Sequence, residues 1–294
     1  MLNAQKAKDY TSIKRIGALA PVLIATPKYD GIWACGIISG DGVESFHSRQ
    51  KNSITSCDAI VEELLFIGKA LPRDQKYAII GELWKPDTAF HDISGACRRK
   101  SAQAEGMRFM VHDLVPLGDD ADAPYAARYG MLARIITGMT QYGALEHTKL
   151  VRAQAVDSDK MTEYADEIIR RGGEGAIFRN PSSAYSPGSR NMDMVKLKEF
   201  KDFDLKAFKL LEGTGDAKGR VAVLMCSDLR RRNIHYVSAG ALTHAERREL
   251  WTTPFTPRVI EARCMNVTPD GEMREPRFVR FRDDKTIDDI QTVE

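Results

Sequence analysis

The chain has 294 residues, 43% hydrophobic and 29% charged, with a formal net charge of +2. That is the balance of an ordinary soluble globular protein with material for a sizeable core, and it excludes a strongly basic or acidic chain. Residues 201–294 carry 17 Lys+Arg and 16 Asp+Glu, the preceding residues 26 and 25, so evidence for a nucleic-acid partner has to be local.

The five cysteines, at 35, 57, 97, 226 and 264, include no C-x-x-C pair. Zinc ribbons and redox motifs are therefore unsupported, and scattered free thiols point to a reducing compartment. The opening MLNAQKAKDY lacks an apolar signal region, and no later stretch approaches the ~20 apolar residues of a membrane span. A cytoplasmic protein, or a nuclear one in a host with a nucleus, is expected, without a membrane partner.

In chain order, residues 20–40 read as two strands interrupted at Thr26-Pro27-Lys28. Ile60, Leu64, Ile67 and Leu71 recur at spacings of three and four and predict a helix over 55–71. YAIIGELW (77–84) and RFMVHDLV (108–115) read as strands. Residues 125–138 and 158–171 read as helices, the second closed by Gly172-Gly173. EGAIFR (174–179) and DMVKLK (193–198) are short strands around a turn-rich segment. The mixture has no regular βαβ period, so an α+β domain over residues 1–200 is expected. After residue 200 the pattern changes to five short strands with Gly, Asp and Asn turns, and one helix near 243–251. This predicts a second domain over 201–294, a small β-barrel of the OB-fold kind.

Lys28-Tyr29-Asp30-Gly31 leaves one strand and enters the next. Most lysines in such loops are solvated; the sharper reading is a nucleophile. Glu82 lies near the end of an apolar strand, and Glu174 follows a Gly-Gly turn. Lys196 and Lys198 alternate on a strand and so share a face. Surface salt bridges would explain each residue singly. They do not explain why each stands at an apolar strand, where unpaired charge is costly.

Taken in order, these segments resemble the covalent nucleotidyltransferase superfamily of DNA ligases, RNA ligases and mRNA capping enzymes. KYDG matches its first motif and GEL its third; His112-Asp113-Leu114 matches the aromatic-Asp element that follows. EGAIFR, KLK and FVRFRDDK match the fourth, fifth and closing motifs. Tyr185…Gly188-Ser189-Arg190 and His47-Ser48-Arg49 resemble elements of ATP-dependent DNA ligases in particular. Two positions depart from the pattern. Trp33 stands where ligases usually carry Arg, with Arg49 a candidate to supply the missing cation. His112 stands where an aromatic ring stacks on adenine.

The resemblance implies a nucleotidyltransferase (adenylation) domain with antiparallel sheets and flanking helices, followed by the OB-fold barrel. It implies an ATP-dependent DNA ligase, a monomer acting on nicked duplex DNA. Lys28 would carry AMP, with Lys196, Lys198, Arg282 and Lys285 as further catalytic residues. Thr26, Arg49, Glu82, His112 and Glu174 would join Lys28, Lys196 and Lys198 around ATP. Asp30 and Glu174 would hold Mg²⁺, and Arg49 and Arg190 would contact DNA. The turn Arg230-Arg231-Arg232 stays open between a solvated hairpin and a DNA contact. An RNA ligase, a capping-type enzyme, or a degenerate nucleic-acid-binding relative is the alternative.

Overall fold

The computed structural model describes residues 2–13, 16–118, 121–264, 266–268 and 270–294. The chain divides into two compact units, Met1–Lys198 and Glu199–Glu294. Among the described residues, no helix is long and apolar enough to cross a membrane.

The strands of the first unit are β1 (Lys8–Asp9), β2 (Val22–Pro27), β3 (Ile32–Ser39), β4 (Gly42–Ser48), β5 (Lys76–Trp84), β6 (Arg108–Leu117), β7 (Thr148–Leu150), β8 (Gln154–Asp157), β9 (Gly175–Arg179) and β10 (Met194–Lys198). Its helices are α1 (Asp58–Lys69), α2 (Phe90–Arg98), α3 (Tyr125–Gln141) and α4 (Met161–Arg170). The strands form two five-stranded sheets, ordered β1-β10-β9-β2-β8 and β4-β3-β5-β6-β7. The mixed α+β expectation holds. The sheets depart from pure antiparallel pairing at one edge each, where β1 runs parallel to β10 and β7 parallel to β6. In the second case α3 carries the chain back between the two strands, the long crossover that parallel pairing requires.

The second sheet is apolar on both faces. Ala34 and Ile38 of β3 enter a core with Ile60, Leu64 and Ile67 of α1 and Leu132 and Ile136 of α3. Burying each such aliphatic side chain contributes about 1.5–3 kcal/mol, which holds α1 and α3 on that face. Trp33, Cys35 and Ile37 face the other way and pack with Ala4, Ala78 and Ile80, with Tyr185 and Leu2 alongside. The first sheet packs Ala25, Phe178 and Val195 against Met161 and Ala165 of α4.

The second unit contains β11 (Lys201–Glu212), β12 (Val221–Ser227), β13 (Ile234–Ser238), β14 (Arg258–Cys264), β15 (Asn266–Val267), β16 (Met273–Arg274) and β17 (Arg277–Phe281), with α5 (His244–Thr252) between β13 and β14. Five strands close into a barrel in the order β11-β12-β13-β17-β14. Leu205, Ala207, Leu224, Val237, Ile260 and Phe278 fill it. MREPRFVRFR (273–282), one of the five strands expected in this half, breaks into β16 and β17. Glu275, with φ 52°, turns the backbone left-handed there, and Pro276 has no N–H to give to a ladder.

Candidate active site

The site is built where the two sheets of the first unit bring strand ends together. β2 ends at Pro27, and the Lys28 N–H donates to the Gly175 carbonyl at 2.9 Å. That bond ties the lysine's backbone to the start of β9. Gly175 has φ +133°, and a Cβ there would collide with the Leu197 carbonyl oxygen of β10; only glycine fits. The chain then turns toward β3, and a Cβ on Gly31 would collide with the Leu83 carbonyl oxygen of β5. Tyr29 braces the turn edge-on against Trp84, ring centroids 5.1 Å apart.

These constraints set Lys28 beside Glu174, with Nζ 2.5 Å from Oε2. The second carboxylate oxygen, Oε1, is buried without a partner. Glu82 on β5 also carries a buried, unpartnered oxygen, Oε2. Burial pushes its carboxyl up to about 7; Lys28 and Arg49 pull it down, while Glu174 and Asp30 add to the rise. Five residues singled out in the sequence, Lys28, Asp30, Arg49, Glu82 and Glu174, therefore share one electrostatic neighbourhood.

The open face of the first sheet supplies more. In register, Thr26 of β2 lies beside Ile177 of β9, and Ile177 beside Lys196 of β10; Lys198 pairs with Gly175. Residues two apart share a face, so Thr26, Arg179, Lys196 and Lys198 project opposite Ala25, Phe178 and Val195. Lys196 Nζ lies 3.4 Å from Asp9 Oδ1 of β1, and Lys198 is buried. Thr26 is buried and accepts from Arg179 Nη1 at 3.3 Å. The other terminal nitrogen of Arg179 meets His112 Nδ1 at 3.2 Å. Burial, reinforced by the Arg179 charge, holds His112 well below the usual imidazole range.

The remaining candidates have partners of their own. Arg190 is exposed and donates to the Ala7 carbonyl at 2.8 Å, part of the lacing between the N-terminal segment and the loop that follows β9. Arg282 and Lys285 belong to the second unit. There Arg282 bonds both oxygens of Asp284 and reaches Asp204 at 3.0 Å, and Lys285 Nζ lies 2.5 Å from Asp204. Both are engaged with carboxylates of their own unit. Trp33 is a core residue, 7% exposed. The sequence reading missed Arg179, Asp9 and Tyr125. Strand alternation within EGAIFR places Arg179 off the core face and could have revealed it. Asp9 and Tyr125 meet the site through edge pairing and helix packing, which leave no local signal.

The family model described as "ATP dependent DNA ligase domain" matches residues 4–198. A DNA ligase of African swine fever virus (strain Badajoz 1971 Vero-adapted) is 26% identical over 244 residues, covering 81% of this chain and 56% of the viral protein. The chain thus spans about half the length of that relative. A solved structure named Pmar-Lig_Pre superposes with a TM-score of 0.82 at 22% identity, over 96% of this chain and 68% of that one. A structure from a study of Lig E DNA ligases gives 0.69 at 22% identity, over 95% and 99%. At these identities the two structures establish the fold. With the family model covering most of the first unit, the chain belongs to the ATP-dependent DNA ligase domain family.

Proposed function

We propose that this chain is an ATP-dependent DNA ligase that seals 3′-OH/5′-phosphate nicks in duplex DNA through AMP carried on Lys28. The observation that carries the reading is the Lys28–Glu174 pair at 2.5 Å, set beside the unpartnered Glu82 oxygen. A lysine fixed by its own backbone among carboxylates with spare acceptor capacity suits a nucleophile better than a structural ion pair.

In the first step Lys28 Nζ attacks the α-phosphate of ATP, the phosphoramidate forms, and pyrophosphate leaves. Attack needs the free amine, so Lys28 has to release a proton to solvent and part from Glu174 as the triphosphate arrives. Lys196 and Lys198, on the same sheet face, stabilise charge growing on the phosphate oxygens, a large share of phosphoryl-transfer catalysis. The free Glu82 oxygen accepts from a ribose hydroxyl. His112 lies against the adenine, and backbone groups near Thr26 read its edge. AMP then passes to the 5′-phosphate of the nick, and the 3′-OH displaces it. Arg49 and Arg190 contact DNA phosphates, which fix position and carry no sequence information.

Mg²⁺ fits the donor set. Glu174 Oε1 is buried and unpartnered, and Asp30 shares its neighbourhood. No group of three or more potential ligating side chains occurs among the described residues. That suits an ion that binds through one or two carboxylates and completes its shell with phosphates and water. Held by Asp30 and Glu174, it would supply Lewis-acid charge to the phosphate oxygens.

We assign residues 1–200 to the adenylation domain and 201–294 to an OB-fold. The five-stranded closure with one interposed helix supports the latter. Five buried cysteines, none of them in a disulfide, support a reducing, cytoplasmic or nuclear setting.

The test is mass spectrometry of the purified chain after incubation with ATP, followed by sealing assays on nicked DNA and nicked RNA. An AMP adduct on Lys28, absent in Lys28→Ala, with sealing of DNA, is the expected result. An adduct on another lysine, or sealing confined to RNA, overturns the assignment.

A further inference from the structure

Arg179 is only 7% exposed, yet no carboxylate meets its guanidinium in the hydrogen bonds and ion pairs of the described residues. Its contacts are Thr26 Oγ1 at 3.3 Å, His112 Nδ1 at 3.2 Å, and the Tyr125 ring, 5.2 Å from Cζ. Arg128 shows the ordinary solution a short way along. It is equally buried, and its Nε and Nη2 bond the two oxygens of Asp113 at 2.8 and 3.0 Å. A buried guanidinium with neutral partners is costly, so what it does to those partners matters.

A guanidinium has donors and no acceptor. In its contact with Arg179, His112 Nδ1 must therefore accept, and the ring proton sits on Nε2. A second proton on Nδ1 would remove the acceptor and bring two cations together. Tyr125 completes the frame by donating its hydroxyl to the His112 carbonyl at 3.1 Å. The other ionisable groups around this frame are Tyr129, whose ring lies 6.0 Å from that of Tyr125, Tyr185, and the Asp113–Arg128 pair. Asp113 already accepts two bonds from Arg128, which spends its charge there.

We infer that Arg179 is a positioning residue of the nucleotide site, fixing His112 as a neutral Nε2–H imidazole so that the ring can serve as a platform for the purine base. This rests on the reading of His112 as the base-facing residue. A phenyl ring at that position would need no such partner, because it has no proton to gain. An imidazole does. Protonated, it would place a charge that must be desolvated beneath the base; neutral, it stacks without that cost. Arg179 thereby removes His112 as a source of pH dependence in nucleotide binding across the ordinary imidazole range.

Two measurements test this separately from the ligase assignment. The first is NMR of the His112 ring in the nucleotide-free chain. It should give the Nε2–H tautomer with no titration near the ordinary value of ~6.5, and Arg179→Met should restore titration toward that value. An Nδ1–H tautomer, or ordinary titration in the wild type, overturns the inference, and this needs no variant to fold.

The second is lysyl-AMP formation against ATP concentration from pH 5.5 to 8. Arg179→Met should raise KM about tenfold at the acid end, within the range of a lost base–aromatic stack, with little change in kcat. The double variant Arg179→Met/His112→Phe should lose the pH dependence that Arg179→Met adds to the wild type and regain most of the affinity. If its KM stays as high and as pH-dependent as in Arg179→Met, Arg179 acts other than through His112 and the inference fails. If His112→Ala alone leaves KM unchanged while the NMR result holds, the tautomer assignment stands and the base-platform reading fails.

Discussion

Glu82→Gln should stabilise the first unit above neutral pH and flatten the dependence of its stability on pH. Burial raises the Glu82 carboxyl from 4.5 to about 7. The folded state therefore keeps a proton that the unfolded chain releases. Between these two values the folded form binds more protons, so stability falls as pH rises through that window and levels off above 7. At ~1.4 kcal/mol per pH unit, the gap is worth on the order of 3 kcal/mol. Glutamine is neutral throughout and escapes that loss.

Urea denaturation from pH 5 to 8 would measure it. Trp33 and Trp84 lie in the first unit and Trp251 in the second, so a Trp251→Phe background isolates the relevant transition. The wild type should lose stability between pH 5 and 7.5, while the variant stays nearly level. Parallel curves for the two proteins would show that Glu82 keeps its ordinary ionisation, and the reasoning from burial would fail. The same variant should bind ATP more weakly, because the amide offers a poorer acceptor than a carboxylate to the ribose hydroxyl.

Glu63→Gln should destabilise the first unit by about 2–3 kcal/mol, the scale of hydrogen bonds to a charged group. The Glu63 carboxylate is buried and accepts the backbone N–H groups of Glu146, His147 and Thr148 at 2.6, 2.8 and 2.5 Å; an amide would turn a donor toward one of them, and thermal melts would register the loss. Lys285→Ala and Arg282→Ala should slow reaction with ATP and spare sealing of a nick that already carries a 5′-adenylate, with equal loss on both substrates counting against a role confined to the first step. Each single variant leaves the buried Asp204 one cation, since Arg282 and Lys285 both pair with it. Affinity for nicked duplex should fall steeply with salt, and Arg49→Ala or Arg190→Ala should each reduce the log–log slope by about one; an unchanged slope would remove that arginine from the interface.

The elements that could be read in the sequence are those whose periodicity is set by burial. α1 shows its stripe because Ile60, Leu64 and Ile67 all enter one core. β5 and β6 show as apolar runs because both their faces are covered. α2 was not legible: among its nine residues only Ile93, Ser94 and Cys97 are buried, and no side chain caps its start. β1 and β7 escaped for a different reason. Strands of two or three residues at a sheet edge are defined by their partners, β10 and β6, and hardly by their own composition. In the site, Lys28, Glu82 and Glu174 could be named because their order matches a known pattern. Their convergence could not be read from periodicity, since it depends on Gly31 and Gly175 letting backbones approach across separate strands.

Trp33 illustrates how a departure from the family pattern is absorbed. The usual arginine at this position would lie on β3 next to Glu82, because residue 33 pairs directly with residue 82. The neighbouring strand on the other side is β4, where Ala34 pairs with Ser48. Arg49 follows in the turn that Ser48 opens, where the Lys51 N–H donates to the Ser48 carbonyl. Trp33 and Glu82 pair across β3 and β5, and the cation stands off the middle strand, on Arg49 in the turn that leaves β4. The Glu82 carboxyl registers it, since Arg49 is one of the two charges that pull it down. The middle position, freed from carrying charge, is given to packing. Trp33 sits among Ala4, Cys35, Ile37 and Ile80 and meets His47 edge-on at 6.3 Å. An arginine there would have to desolvate its guanidinium among aliphatic neighbours, whereas Arg49 keeps its side chain exposed. The exchange keeps a positive charge within reach of Glu82 and converts a costly buried position into part of the core.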